Sequence, residues 1–183
     1  NSEGDISACV NNGPVTGAFH TGGIAGRKTH GNIVDCDNKE LGTVTGEYRL
    51  GGIVGTSEAV PSGEEAKISG CTNAAAILST DTTDSSIHIG GIVGMHGSYN
   101  TVENCENSGA VTGVGSVTSG GWGGVGGISG STYTASLISG SSNGGTVAGS
   151  FCVGGIVGYK SLGTVEDCEN TGTVGNAAAA YAG

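Results

Sequence analysis

One short motif recurs six times along the chain and constrains its fold more than any other feature. Each copy carries a cysteine, once replaced by serine, with an asparagine two residues later, as in TVENCEN (101–107) and TVEDCEN (164–170). A fixed period of about 20–50 residues is typical of solenoids, propellers and repeat arrays. The sequence therefore predicts a single repeat domain over residues 1–183, with copies that start near residues 5, 32, 67, 101, 137 and 164.

A second motif, Gly-Gly-Ile-x-Gly, follows each of the first five copies. Between the two motifs the fourth copy alternates with period 2, which indicates a half-buried strand with small, apolar or amide residues on its inner face. The isoleucine is expected to point inward. An apolar residue lies three positions before each cysteine, an offset that one straight strand cannot accommodate, so we expect a bend there. The second motif occupies residues 22–26, 51–55, 90–94, 126–130 and 154–158.

These patterns predict an all-β fold, a parallel β-solenoid of about six rungs. Each rung would hold two or three short strands and about 27 residues plus insertions, with rungs about 4.8 Å apart. A propeller blade would need four strands and usually about 40 residues or more. The 39 glycines follow the repeat rather than a Gly-X-Y period, which excludes collagen.

Stacking in register predicts two interior columns. The asparagines can hydrogen bond from rung to rung, as amide ladders do. The cysteines have two alternatives: packing as small thiols, or bridges Cys9–Cys36 and Cys71–Cys105. Parallel strands in register point both Cβ atoms the same way, which favours packing. The two columns contain Cys9, Cys36, Cys71, Cys105, Ser141 and Cys168, and Asn11, Asn38, Asn73, Asn107, Asn143 and Asn170.

Cys152 is the one cysteine outside this column. It lies two residues before a Gly-Gly pair, where the other copies have His20, Arg49, His88 and Gly124. We expect this position to face solvent, where the Cys152 thiol would either link two chains or be an incidental surface cysteine.

Nothing in the sequence predicts catalysis, a metal or a cofactor. GSSNG (140–144) resembles a nucleophile elbow only formally, because no helix follows it. The four histidines lack the spacing of a metal motif. A net charge of −10 disfavours nucleic acid, and no apolar run is long enough to span a membrane.

Insertions indicate where a partner would bind. The connections 80–89 and 114–125 extend the same corner of adjacent rungs and would form a patch with Thr82, Asp84, His88 and Trp122. Trp122 would alternatively fold back over the core. At another corner, Tyr99, Tyr133 and Tyr159 would suit stacking on a sugar or packing against a second solenoid.

Together, the GGIVG copies, an upstream V-x-G and the following C-x-N-x-G-x-V resemble the GLUG-motif repeats of bacterial surface proteins, except that isoleucine stands where those repeats usually have leucine. The resemblance covers essentially the whole chain. It implies an extracellular location at the bacterial cell surface and a role as a stalk or adhesin, in a family that includes immunoglobulin A peptidases, and it supplies no catalytic residues.

Three functions remain as hypotheses. The first is a non-catalytic structural or adhesive module that binds a host or cell-surface glycan or protein. The second is an extracellular filament subunit that stacks head to tail or laterally on copies of itself. Acids alternate with uncharged residues in the column after the cysteines, which would keep like charges apart across such a junction. The third is an ice- or glycan-binding solenoid.

Overall fold

The chain forms a parallel β-solenoid of six rungs. A computed structural model describes residues 4–64, 66–81, 87–114 and 123–176, and in them 28 short strands form five parallel sheets. Neighbouring strands in each sheet come from consecutive rungs. The predicted fold class is thereby confirmed. The described residues include no helix of the length and apolarity that a membrane crossing requires.

Sheets 1 and 2 hold the two parts of each Cys-x-Asn copy. Sheet 1 contains β1 (Ile6–Ser7), β6 (Ile33–Val34), β11 (Ala66–Ser69), β16 (Asn100–Glu103), β21 (Leu137–Ser139) and β26 (Thr164–Glu166). Sheet 2 contains β2 (Val10–Asn11), β7 (Asp37–Asn38), β12 (Thr72–Asn73), β17 (Glu106–Asn107), β22 (Ser142–Asn143) and β27 (Glu169–Asn170).

Sheets 3, 4 and 5 complete each turn. Sheet 3 contains β3 (Val15–Thr16), β8 (Val44–Gly46), β13 (Ile77–Ser79), β18 (Val111–Thr112), β23 (Val147–Gly149) and β28 (Val174–Asn176). Sheet 4 contains β4 (Phe19–Gly22), β9 (Tyr48–Gly51), β14 (His88–Gly90), β19 (Gly124–Gly126) and β24 (Val153–Gly154). Sheet 5 contains β5 (Ala25–Lys28), β10 (Val54–Ser57), β15 (Val93–His96), β20 (Ser129–Thr132) and β25 (Val157–Lys160).

A full rung therefore has five strands, and the expectation of two or three was wrong. The chain bends more often than the motifs indicate. The expected bend before each cysteine is present. In all six copies the residue directly before the cysteine, or before Ser141 in the fifth copy, has a left-handed backbone. Glycine, asparagine and aspartate tolerate that conformation best, and they occupy five of the six positions. The six residues are Ala8, Asp35, Gly70, Asn104, Gly140 and Asp167.

The core runs along the solenoid axis as two clusters of aliphatic side chains. The isoleucines of the second motif are fully buried in the central rungs, at Ile53, Ile92 and Ile128. They pack with the sheet 1 residues Ile33 and Ile68, among others. The second cluster joins the inner faces of sheets 3 and 4. Because each rung covers its neighbour, a chain with 4% aromatic residues still excludes water from its interior.

The asparagines of sheet 2 form a continuous amide ladder. Each Nδ2 donates to the Oδ1 of the asparagine in the next rung at 2.6–2.8 Å, from Asn11 to Asn170. The same Nδ2 also donates to a backbone carbonyl of its own rung, as Asn107 does to Gly109 at 2.9 Å. A buried amide in this ladder has its hydrogen bonds satisfied, so it can lie in the core at little cost.

The two repeated motifs meet at this ladder. The second glycine of each Gly-Gly pair lies against an asparagine amide, as Gly52 lies against Asn73 and Gly91 against Asn107. A Cβ atom on either glycine would be nearer than 3.0 Å to the amide and to a backbone carbonyl of the next rung. The glycine pair and the asparagine therefore form one structural unit, although the second glycine and the asparagine lie 15 to 21 positions apart along the chain.

The cysteines of the interior column are free thiols, so the bridges Cys9–Cys36 and Cys71–Cys105 are not formed. Buried thiols donate to the carbonyl two residues earlier, as Cys71 does to Ser69 at 3.3 Å. Ser141 makes the equivalent bond to Ser139 at 3.0 Å, so the column needs a small hydrogen-bond donor rather than sulfur.

Candidate functional site

Most of the predicted insertion patch lies outside the described residues. This holds for Thr82, Asp84 and Trp122. His88 is described and is buried, with 4% of its surface exposed. Its Nδ1 lies 2.6 Å from Ser131 Oγ in the next rung.

The position two residues before the Gly-Gly pair does not face solvent, and that expectation was wrong. His20, Arg49 and Cys152 are half-buried, and Gly124 is buried like His88. The reason is that this position turns towards sheet 5, where His20 Nδ1 lies 2.7 Å from Thr56 Oγ1. At His20, Arg49 and Cys152 the turn accompanies a left-handed backbone, which the alternation of side chains cannot show.

The three tyrosines of the other corner differ in exposure. Tyr99 is 38% exposed, whereas Tyr133 and Tyr159 are half-buried. The Tyr133 ring lies 6.5 Å from the His88 ring, measured between centroids, and is tilted by 52° against it. Tyr159 pairs with Ser131 in the register of sheet 5. Tyr99 therefore offers the most accessible ring of the three.

A more exposed aromatic surface lies at the start of sheet 4. The Phe19 ring stacks on the Tyr48 ring of the next rung, with centroids 4.9 Å apart and planes 13° apart. Phe19 is 62% exposed. We call this pair the aromatic corner. The repeat copies contained a signal for the aromatic corner. When they are aligned on the Gly-Gly pair, both residues lie three positions before it, as Phe151 does in rung five.

Cys152 lies in an open depression near the last rungs. The depression has a volume of about 250 Å³, and its walls include Phe151, Val153 and Val174. Burial raises the pKa of the Cys152 thiol. Because the thiolate is the reactive form, the raised pKa makes Cys152 a poorer nucleophile than an ordinary surface cysteine.

A buried polar cluster lies where sheet 5 turns into sheet 1. Lys28, Ser57 and His96 occupy equivalent positions in three consecutive rungs, and all three are buried together with Asn100. Neither ring nitrogen of His96 makes a hydrogen bond. Burial lowers the pKa of His96 to about 4 and that of Lys28 to about 8. Sequence analysis missed this cluster, because its members belong to neither repeated motif.

The described part of the chain contains no group of three or more histidine, cysteine, aspartate or glutamate side chains that could hold a metal ion. Three of the acidic residues there, Asp37, Glu58 and Glu103, form surface ion pairs. Asp37 accepts from Lys39 Nζ at 2.8 Å and from Thr72 Oγ1 at 2.6 Å, and these two bonds lower the pKa of its carboxyl.

Comparison with known proteins gives two matches. The family model of the GLUG motif matches residues 149–175, which include the fifth Gly-Gly-Ile-x-Gly and the sixth Cys-x-Asn. No curated protein matches the chain. Among solved structures, the chain is similar to a putative immunoglobulin A1 protease from Bacteroides ovatus, with a TM-score of 0.58 and 21% sequence identity. The match covers 93% of this chain and 65% of that one, and at this identity it shows the fold alone.

Proposed function

This chain carries the GLUG motif in a six-rung solenoid, and on that basis we propose that it is a non-catalytic structural module of an extracellular bacterial surface protein. In this proposal the solenoid is a stiff spacer, and its exposed corners make the adhesive contacts. The motif resemblance supports the location.

The observation that carries the proposal is how the repeated polar residues are used. The asparagine amides bond to one another, and the column thiols bond to backbone carbonyls of their own rung and of the preceding rung. Residues so engaged hold rungs together and are not presented to a substrate. A hydrogen-bonded core with the same contacts in each rung resists bending, as a spacer requires.

The aromatic corner is the adhesive surface that we propose. An exposed phenyl ring stacked on a tyrosine offers a flat apolar face with a polar edge, which suits the apolar face of a sugar ring or an aromatic anchor of a partner protein. The net charge of −10 favours neutral or basic partners over acidic ones.

Binding to glycan arrays and to host-cell surfaces tests the adhesive role. We expect Phe19→Ala with Tyr48→Ala to reduce binding at least about tenfold, the loss of roughly 1.4 kcal/mol expected for an aromatic contact. Leu162→Ala is the matched control, because Leu162 is 55% exposed on a different corner. Equal losses in both variants, or binding that neither variant changes, would contradict a role for the aromatic corner.

Antibody labelling of the source bacterium tests the location. Antibodies raised against the folded solenoid should label intact cells as strongly as permeabilised cells. Labelling that requires permeabilisation would contradict an extracellular module.

Head-to-tail stacking of copies is the second candidate function. It is favoured by the outward column of sheet 2, where acids alternate with uncharged residues along a continuous register of Val10, Asp37, Thr72, Glu106, Ser142 and Glu169. Negative-stain electron microscopy at several protein concentrations tests it. Six rungs about 4.8 Å apart predict fibres with an axial repeat of about 29 Å. Short particles at every concentration would argue against a filament.

Ice binding remains the third hypothesis. The outward column of sheet 3 carries threonine at Thr16, Thr45 and Thr112. The other three positions are Leu78, Ala148 and Gly175, and so broken an array ranks this hypothesis last. A measurement of thermal hysteresis tests this hypothesis, and no hysteresis would exclude it.

A further inference from the structure

A buried lysine touches a buried side-chain amide across the solenoid. Lys28 Nζ donates to Asn100 Oδ1 at 3.1 Å, and the two residues are 72 positions apart in the chain. Lys28 is 5% exposed and Asn100 is 1% exposed. Lys28 ends β5 and Asn100 begins β16, which follows β15, so the contact spans two rung steps along the solenoid.

The Asn100 amide is held in one orientation. Its Nδ2 donates to the backbone carbonyl of Glu58, to that of Ser98 at 3.1 Å and to that of Gly97 at 3.4 Å. Its Oδ1 accepts from Ser57 Oγ at 3.0 Å as well as from Lys28. Both donors polarise the carbonyl, and Ser57 Oγ stays on the oxygen to stabilise the negative charge that develops when the carbonyl carbon is attacked.

The lysine is poised to act as a nucleophile. Burial lowers the pKa of Lys28 to about 8, and in the described part of the chain its hydrogen bond is to the Asn100 amide rather than to a carboxylate. About a tenth of the amine is then neutral at pH 7, against well under a thousandth for a free lysine. Lysine amines that are desolvated in this way are activated nucleophiles.

We propose that Lys28 and Asn100 form an intramolecular isopeptide bond. The neutral Nζ attacks Cγ of Asn100, and a carbon–nitrogen bond forms while Ser57 Oγ donates to the developing oxyanion. The bond from Cγ to Nδ2 then breaks. The proton that Nζ loses passes to Nδ2, which departs as ammonia, so the step needs no oxidant or other reactant.

His96 is the base that we assign to this proton transfer. It follows Ser57 in the same buried column, and neither of its ring nitrogens makes a hydrogen bond. A buried polar group without a partner calls for an explanation. Burial keeps the ring neutral at pH 7, so one ring nitrogen carries a lone pair that can relay the Nζ proton to the leaving nitrogen without holding it.

The crosslink would tie β5 to β16 and would close a covalent loop between residues 72 positions apart. It does not depend on the proposed adhesive role, because it concerns residues of the core alone. A protein with this bond would keep part of its solenoid connected when the backbone is cut within the loop.

Mass spectrometry of the whole folded chain, before and after incubation at pH 9, tests the proposal. We expect a mass below that of the sequence by one molecule of ammonia, and faster conversion at pH 9 than at pH 6. Digestion with trypsin and a glutamate-specific protease should then give a branched peptide that joins residues 28–39 to residues 68–103.

Two controls make the result decisive. Lys28→Met should lose the branched peptide. Lys39→Met, which changes an exposed lysine, should keep the branch, now joining residues 28–40 to residues 68–103 because Glu40 is the next cleavage site. Asn-Gly pairs such as Asn12–Gly13 can also lose ammonia through a succinimide, but they give no branched peptide. A wild-type chain that is folded and still yields no branched peptide after incubation would overturn the proposal, whatever its mass.

Discussion

At the scale of the residue, the repeated glycines and asparagines depend on each other. The amide ladder fills the space that a side chain on the second glycine of each pair would need. Asparagine supplies both a donor and an acceptor on a short side chain, so it can bond to the rung above and the rung below. This complementarity explains why both motifs recur with little change.

Gly91→Ala should unfold the solenoid readily. The new Cβ would collide with the Asn107 amide and the Gly127 carbonyl, neither of which can move without breaking the ladder. We expect a loss of about 3 kcal/mol or more in the free energy of unfolding, measured by urea titration. Gly13→Ala is the control, since nothing lies within 4 Å of its Cβ, and it should change stability by less than about 1 kcal/mol. Similar losses in both variants would contradict this account.

The stability of the protein should rise with pH between about 4 and 6.5 because of His96. Burial, the largest cause, lowers its pKa from 6.5 to about 4. In that range the unfolded chain binds a proton that the folded chain does not, so acid favours unfolding. The difference corresponds to about 3 kcal/mol. His96→Leu should remove this part of the slope.

Chemical unfolding at pH 4.5, 5.5 and 6.5 measures the effect, with His30→Gln as the control because His30 is exposed. Carboxyl groups contribute their own slope at low pH, so the wild type and both variants are compared at each pH. A His96→Leu slope equal to that of the wild type would show that His96 does not titrate as stated.

At the scale of the element, single left-handed residues divide each rung into short strands. The turns of a solenoid need these bends, and most of them use glycine, asparagine or aspartate. Alanine also occupies such positions, at Ala8 and Ala135. A Cβ in the left-handed region costs about 1–2 kcal/mol. The packing of the flanking strands therefore holds these alanines in conformations that they disfavour.

Ala135→Gly should stabilise the protein. Ala135 is exposed and has a φ of 52° in the corner between β20 and β21. Glycine removes the strain, although it gives the unfolded chain more freedom, so we expect a net gain of about 0.5–1 kcal/mol by urea unfolding. Ala110→Gly, at an exposed position without a left-handed backbone, should lower stability by a similar amount. The same sign for both changes would refute the strain argument.

At the scale of the whole molecule, the solenoid is a stack in which each rung contacts mainly its neighbours. The sheets continue from rung to rung in one register, so stability should be close to a sum over rungs and junctions. An insertion at a corner leaves that register unchanged, which explains how the repeat tolerates copies of unequal length.

Deleting the 36 residues 108–143 should leave a folded solenoid that is one rung shorter. The cut joins Asn107 to Gly144, and the ladder would then run from Asn107 to Asn170. We expect cooperative unfolding with an m-value lower by about one sixth, since less surface is exposed on unfolding. Deleting residues 108–125 removes half a rung and should abolish folding, as judged by circular dichroism. If the chain that lacks residues 108–125 still folds, the register between rungs does not control the fold.

The residues of the candidate sites were less predictable than the core. The alignment placed Ile92 and Asn107 inside because every copy repeats their pattern. It could not place His88, whose inward turn depends on sheet 5 of the next rung. Nor could it place Lys28, whose contact with Asn100 depends on the rise along the solenoid axis from one rung to the next. Phe19 and Tyr48 shared a position in the alignment, but their stacking depends on the spacing between rungs.

The sequence by itself determined the period, the parallel register and the inner face of each strand, because near-identical copies can bury the same residues only by stacking directly on one another. The tertiary structure alone decided the number of strands in a rung and the neighbours of residues outside the motifs. Those features follow from backbone bends at single residues and from contacts between non-equivalent positions in different rungs, and neither leaves a periodic trace in the sequence.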